Sequence, residues 1–404
     1  MSNWQELESK YFLRTGRRLP VTLVRGQGTR VWDDEGREYL DFIDGIAVCS
    51  LGHCHPVVVN AITEQARTLM HVSNLFYTVP QVQLAELLVR NSCLQRAYFV
   101  NSGTEANEAA IKLARRYGKL HRDGAYEIIS AMDSFHGRSL AMVAATGQPK
   151  YQAPYTPLPE GFVNVPYNDV DAIKKATSKK TCAILLEPIE GEGGVIVPAP
   201  DYLKRVRAWC DKHNILLILD EVQTGIGRTG SLFAYQHMGA EPDIMTLAKG
   251  MGGGFPIGAL LAKERAAVFQ PGDHGSTFGG NPLATATAYA VVKYIIEQRI
   301  PDRAWEMGEY LLSGLRKLKA KYPHITDARG MGLLTAIEFN APLAEAVTLA
   351  ALREGLIVNN VRPDALRLAP ALTVSREEID QALAVLDKVI KAVAAQPVPP
   401  APAH

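Results

Sequence analysis

The sequence predicts an α/β fold: a mostly parallel sheet flanked by helices, accompanied by a smaller second domain. Three observations carry that expectation. Short apolar runs suited to fully buried strands recur at Cys182 to Leu186, Ile215 to Leu219 and Ile244 to Ala248. Between the first two lies an amphipathic segment, Asp201 to Asn214, with Leu203, Val206 and Cys210 on one side, and strand, helix, strand of this kind makes parallel pairs joined by right-handed crossovers. The run Ile215 to Leu219 ends in two acids, Asp220 and Glu221, at the edge where open α/β sheets hold ligands.

Size and charge bound the possibilities. The 404 residues, 47% hydrophobic and 21% charged, have room for two domains and a sizeable core. Lys plus Arg (43) nearly equals Asp plus Glu (42), which gives no reason to expect nucleic acid or an acidic membrane as partner. Local arginines must then meet any substrate charge. Five cysteines without a C-x-x-C spacing point to a reducing compartment. The run His53, Cys54, His55 does not read as a metal site, because adjacent side chains rarely converge on one ion and no second ligand pair stands nearby. The opening MSNWQELESKYF carries acids where a signal peptide would be basic and then apolar, and no stretch is apolar enough to span a bilayer; the expected location is cytoplasmic.

Along the chain, residues 21 to 43 alternate in the manner of strands around turn signals at Gly26, Gly28 and Asp34 to Gly36, which predicts a small β-meander. His55 to Met70 and Thr78 to Asn91 are helical in pattern. A strand at Ala97 to Val100 runs into a helix that Ser102 and Glu105 are spaced to cap as a box, with Ala106, Ala109, Ala110 and Leu113 on its apolar face. Glu127 to Ala131 reads as a strand and residues 151 to 170 as a loop. Residues 281 to 320 read as long helices, Gly330 to Phe339 and Gly355 to Val361 as strands, and Glu377 to Ala394 as a helix; the tail PVPPAPAH cannot build a core. The expected division is 1–70, 71–310 and 311–404, the large central part carrying the ligand.

The chemistry concentrates at Asp220 and at Lys249 in LAKGMGGGFPIGA. A lysine amine that forms a Schiff base, opposite an acid that keeps a pyridine nitrogen protonated, is the equipment of pyridoxal 5'-phosphate catalysis. Ser102, Gly103 and Thr104 open a helix whose free amides suit a phosphate. The GIGRTG run, residues 225 to 230, also satisfies the dinucleotide pattern G-x-G-x-x-G. An NAD oxidoreductase is the rival, weakened by glycines that begin five residues past Asp220 and by a poor helix after them.

Asp220, Gln223, GIGRTG and Lys249, in this order, resemble the signature of class III pyridoxal phosphate aminotransferases, and the likeness runs from LVRGQGTRVWDDEGREYLDF to LRLAPAL. The resemblance implies fold type I: a large domain with a mostly parallel seven-stranded sheet and a smaller α+β domain drawn from both chain ends. It implies Lys249 and Asp220 as catalytic residues, and Ser102, Gly103, Thr104, Phe135 (stacked on the ring), Val222, Gln223 and Thr277 as cofactor contacts. It places substrate on Arg138, Glu192, Ser276 and Arg367, Glu192 screening Arg367 until 2-oxoglutarate arrives. His136, by its residue type, is expected to satisfy a local hydrogen bond. Thr277 is expected to reach a neighbouring subunit's phosphate, making a homodimer with shared sites. The implied activity is transfer of a terminal amine, as from acetylornithine, to 2-oxoglutarate; succinylornithine, ornithine, acetyl-lysine and 4-aminobutyrate are alternatives. Relatives carry a tyrosine where Gly16 stands here, which widens the range of amines.

Overall fold

The computed structural model describes residues 3–395, and the tail PVPPAPAH lies outside them. Its central sheet has seven strands, in the spatial order Arg96–Val100, Gly258–Ala262, Ile244–Leu247, Leu216–Asp220, Thr181–Leu186, Glu127–Ala131 and Phe162–Val165. The last five pair in parallel; Gly258–Ala262 runs antiparallel to both its neighbours. Every residue of Thr181–Leu186 and Leu216–Asp220 is buried. That is why these strands are apolar from Cys182 to Leu186 and from Leu216 to Leu219 instead of alternating: Ile184, Leu186, Leu217 and Leu219 enter one core layer, while Ala183, Leu185, Leu216 and Ile218 enter the layer on the opposite face. Helix Tyr202–His213 joins the two strands, buries Leu203, Val206 and Cys210, and stops at Asn214 with φ 52, a conformation asparagine tolerates.

Two further sheets, each of four strands, are formed among the described residues. In one, the expected meander forms as Leu23–Gln27, Arg30–Asp33 and Glu38–Asp41, and Leu356–Ile357 from the far end of the chain adds in parallel to Glu38–Asp41. The other, in the order Ile325–Met331, Leu334–Phe339, Ala365–Leu368 and Asn359–Arg362, is antiparallel throughout. Helices Pro56–Thr68 and Val79–Arg90 both pack on Pro282–Glu297. Helix Arg376–Ala394 opens with a full capping box between Ser375 and Glu378.

Four expectations need correction. Residues 151 to 170 are not simply a loop: Phe162–Val165 pairs in parallel with Glu127–Ala131 as the sheet's edge, a strand of four residues too short and too partly exposed to leave a pattern. Gly330 to Phe339 is not one strand, because Gly332, at φ 56, turns the chain between Met331 and Leu334. Gly355 to Val361 divides between two sheets at Val358. The box at Ser102 is half formed: its hydroxyl accepts the Glu105 amide at 3.2 Å, but the Glu105 carboxylate turns to the backbone and side-chain amides of Asn101.

Candidate active site at the carboxyl edge of the sheet

Asp220 ends its strand 3% exposed, and three donors aim it. Asn107 Nδ2 and His136 Nδ1 meet Oδ2 at 2.7 and 2.8 Å, and the Val222 amide meets Oδ1 at 3.0 Å. Asn107 is held in turn by the Thr246 hydroxyl at 2.7 Å. The helix Gly103–His121 and the strand Ile244–Leu247 thus orient one carboxylate together. Its neighbour in sequence does something else. Glu221 turns the other way and accepts the Ala234 and Tyr235 amides, capping a short helical turn, and burial pushes its carboxyl up to about 7.

Lys249 follows Ile244–Leu247 at φ 41, and the glycines after it let the chain fold back tightly. Burial depresses its ammonium below the ordinary lysine range, opposed in part by Glu192. It lines a cavity of about 300 Å³ with Ser102, Gly103, Thr104, Phe135, His136, Glu187, Glu192, Asp220, Val222 and Gln223. The wall at the helix start leaves no room for side chains: a Cβ on Gly103 would fall 2.8 Å from Val222 Cγ1, and one on Gly137, at φ 141, would fall 2.6 Å from Thr104 Oγ1. Glu187, 4% exposed, ties two loops together by accepting the Phe135 amide at 2.9 Å and the Gly191 amide at 3.1 Å; burial raises its carboxyl above the usual range.

Arg367 arrives from a different sheet. It sits on Ala365–Leu368, 2% exposed, and bonds Glu192 Oε1 at 2.7 Å, Gln223 Oε1 at 3.0 Å and Asn359 Oδ1 at 2.8 Å. Burial works to raise the Glu192 carboxyl, but the Arg367 and Lys249 charges prevail and hold it below the usual glutamate range. The Glu192 loop is fixed from beneath, where the Arg329 guanidinium bonds the carbonyls of Gly194 and Val195.

The remaining expected residues do not line this cavity. Arg138 is exposed, its guanidinium 3.9 Å from the Tyr151 ring centroid and 5.2 Å from that of Phe135. Ser276 is outside the cavity lining, yet its hydroxyl accepts Asn101 Nδ2 at 3.2 Å. Thr277 is exposed and reaches no part of this cavity. Gly16 is exposed, with no atom close to where a Cβ would stand.

The model of the family described as "Aminotransferase class-III" matches residues 11–390. The chain belongs to the class III aminotransferases. It is 51% identical over 387 residues to the acetylornithine aminotransferase of Caldanaerobacter subterraneus subsp. tengcongensis, covering 96% of this chain and 98% of that one. Among solved structures it is similar to the N-acetylornithine aminotransferase of Stenotrophomonas maltophilia K279a (TM-score 0.84, 38% identity, 97% of this chain and 100% of that chain). It also resembles the ornithine aminotransferase of Toxoplasma gondii, reported with PLP at partial occupancy in its active site (TM-score 0.93, 34% identity, 97% and 94% of the two chains).

As a class III aminotransferase the chain is a pyridoxal-phosphate-dependent enzyme of fold type I, and the dinucleotide reading of GIGRTG falls. No long helix follows those glycines, only Tyr235–Met238, and Arg228 within them is a buried tie to distant backbone. Sequence reasoning missed Asn107, Glu187 and Asn359. Asn107 left a signal, a polar residue set among the alanines of a buried helix face; Asn359 left none, since its partner is eight residues on and across a turn.

Proposed function

We propose that this enzyme transfers the terminal amine of N2-acetyl-L-ornithine to 2-oxoglutarate, giving N-acetyl-L-glutamate 5-semialdehyde and L-glutamate, a step of arginine biosynthesis in the cytoplasm. The observation that carries the glutamate-dependent half is the Arg367–Glu192 pair at 2.7 Å on the border of the Lys249 cavity. The relatives' names supply the donor. Ornithine is the second reading, favoured by the likeness to the ornithine aminotransferase.

The residues present fit pyridoxal phosphate. A partly buried amine, a buried carboxylate and the start of a 19-residue helix border one cavity, and side-chain-free glycines open the helix end to an anion. When bound, the cofactor supplies an aldehyde for the lysine and a ring that draws electrons from the carbon losing its proton. Lys249 would attach to it and, once displaced by substrate, carry that proton; burial favours the neutral amine the task requires. Asp220 would face the ring nitrogen, steadied by Asn107 and His136. Ser102, Gly103 and Thr104 would take the phosphate, Phe135 and Val222 would border the ring, and Gln223 would bond its phenolic oxygen.

Arg367 would take the α-carboxylate of 2-oxoglutarate once Glu192 swings aside. A charged hydrogen bond contributes about 1.5–3 kcal/mol, which permits the exchange because one such bond replaces another. Arg138 would hold the carboxylate remote from the reacting carbon. Exposed Leu75, Phe76 and Tyr77 follow Asn74, whose side-chain amide bonds the Ser276 carbonyl at 3.1 Å, and exposed Phe278 follows Thr277, which supports a homodimer whose Thr277 completes the neighbouring phosphate site. The same reading divides the chain at 70 and 310, the outer parts bringing Arg367 to the central one.

Lys249→Ala should abolish the visible band of bound cofactor and lower turnover by about 100- to 10,000-fold, the worth of a positioned acid/base. A variant with undiminished turnover would end this reading. Parallel kinetics with acetylornithine and ornithine decide the donor: a higher kcat/KM for ornithine would transfer the assignment.

A further inference from the structure

Arg367 has two partners besides Glu192, and they differ from it in kind. Asn359 is the cross-strand partner of Arg367 in the register of their two strands, and its Oδ1 accepts Nη2 at 2.8 Å. Being on the same hairpin, it travels with the arginine. Gln223 belongs to the loop after Asp220, and its Oε1 accepts Nη1 at 3.0 Å. An arginine offers donors only. Whatever faces it must therefore be the oxygen of an amide, which settles an orientation that amide side chains otherwise leave open and turns Gln223 Nε2 away from the guanidinium. The amide is also confined, since a Cβ on Gly191 would fall 2.2 Å from Oε1 and 2.6 Å from Nε2, so the Gly191 backbone lies directly against it. Gln223 is 6% exposed and lines the cavity.

We propose that Arg367 is a positioning residue for the cofactor as well as a carboxylate site: it holds the Gln223 amide with its nitrogen toward the cavity, and Asn359 holds the guanidinium in place when Glu192 leaves. The inference rests on the reading of Lys249 and Gln223 as cofactor residues. One side chain then links the substrate-carboxylate site to the cofactor ring. Glu192, the third partner, comes from a separate loop and is the member free to exchange, while Asn359 and Gln223 keep the guanidinium from following it.

The test needs no substrate. Apoenzymes of the wild type, Arg367→Ala, Gln223→Ala and the double variant are titrated with pyridoxal phosphate, following the absorption of the lysine-bound cofactor. Arg367→Ala and Gln223→Ala should each weaken uptake by roughly 3- to 10-fold, the worth of one hydrogen bond. The double variant should be no weaker than Gln223→Ala alone. Arg367→Lys, a donor-only cation, should recover most of the loss. Gln223→Glu, which pairs with the arginine but offers no donor, should behave like Gln223→Ala. Asn359→Ala, which disturbs no charge, should give a smaller loss that vanishes when Gln223 is alanine. An unchanged affinity in Arg367→Ala would overturn the proposal, and so would a loss that persists in full beside Gln223→Ala, because that would be the arginine's field acting on Lys249. Wild-type apoenzyme that takes up no pyridoxal phosphate would remove the underlying function, and this inference with it.

Discussion

Two arginines in this molecule are equally buried, each 2% exposed, and they are held in opposite ways. Arg228, in the GIGRTG run, bonds the carbonyls of Leu333 and Pro370 and lies 3.5 Å from the Asp44 carboxylate. Its partners are mostly backbone, fixed by strands and turns on both sides, and Asp44 is itself 1% exposed. Arg367 bonds three side chains, one of which, Glu192, is 27% exposed and borders a cavity. A guanidinium locked to carbonyls has nothing to exchange, whereas one held by side chains at a cavity wall can trade a partner for a ligand. Burial alone does not separate a structural cation from a functional one; the kind of partner that holds it does.

The largest way to break this contrast is Arg228→Ala. It leaves Asp44 buried without its cation, and losing one member of a buried pair costs about 3–5 kcal/mol. Denaturant unfolding should show that loss, and a variant as stable as wild type would erase the distinction. Next, Arg367→Ala should lower kcat/KM for 2-oxoglutarate by about 10- to 150-fold, the loss of a charged hydrogen bond, while destabilising the fold less than Arg228→Ala does, because Glu192 can turn toward water. Equal effects of the two variants on both quantities would make the arginines one class after all.

Smaller changes sharpen the comparison. Glu192→Gln weakens the occupant that competes with substrate, so the KM for 2-oxoglutarate should fall, by roughly 3- to 10-fold for one charge-assisted bond made neutral. A raised KM would mean that Glu192 assists binding instead. The pH dependence is subtler still. The Glu192 carboxyl is held below its ordinary 4.5, so its pairing contributes stability fully above that value and loses it as the pH falls through the lower folded value. Melting temperatures followed from neutral to acid pH should decline less steeply in Glu192→Gln than in wild type. Parallel curves would show the pair to be without weight in the fold.

Much of this was legible in the residues. The strands at 182–186, 216–219 and 244–247 announce themselves because a strand buried on both faces must be apolar throughout, and Lys249 and Asp220 stand at the ends of two of them. The edge strand Phe162–Val165 stayed hidden because half-exposed residues are under no such constraint. Asp220 and Glu221 stand side by side, and residue type alone does not separate them; the family signature picks Asp220, and the structure supplies the reason, because the donors Asn107, His136 and the Val222 amide meet Asp220 while Glu221 turns to the Ala234 and Tyr235 amides.

By itself, then, the sequence determined the layered α/β architecture, the lysine and acid at its heart, and the family. Local patterns report these because periodicity and the chemistry of a motif reside in neighbouring residues. The tertiary structure alone decided that Gln223 and Asn359 join the expected Arg367–Glu192 pair in one cluster, that Arg228 is a tie to backbone, and that Asn107 and His136 steady Asp220. Those contacts join residues from 8 to 175 positions apart, and a hydrogen bond depends on where the folded chain sets two groups in space, which no local pattern of residue types encodes.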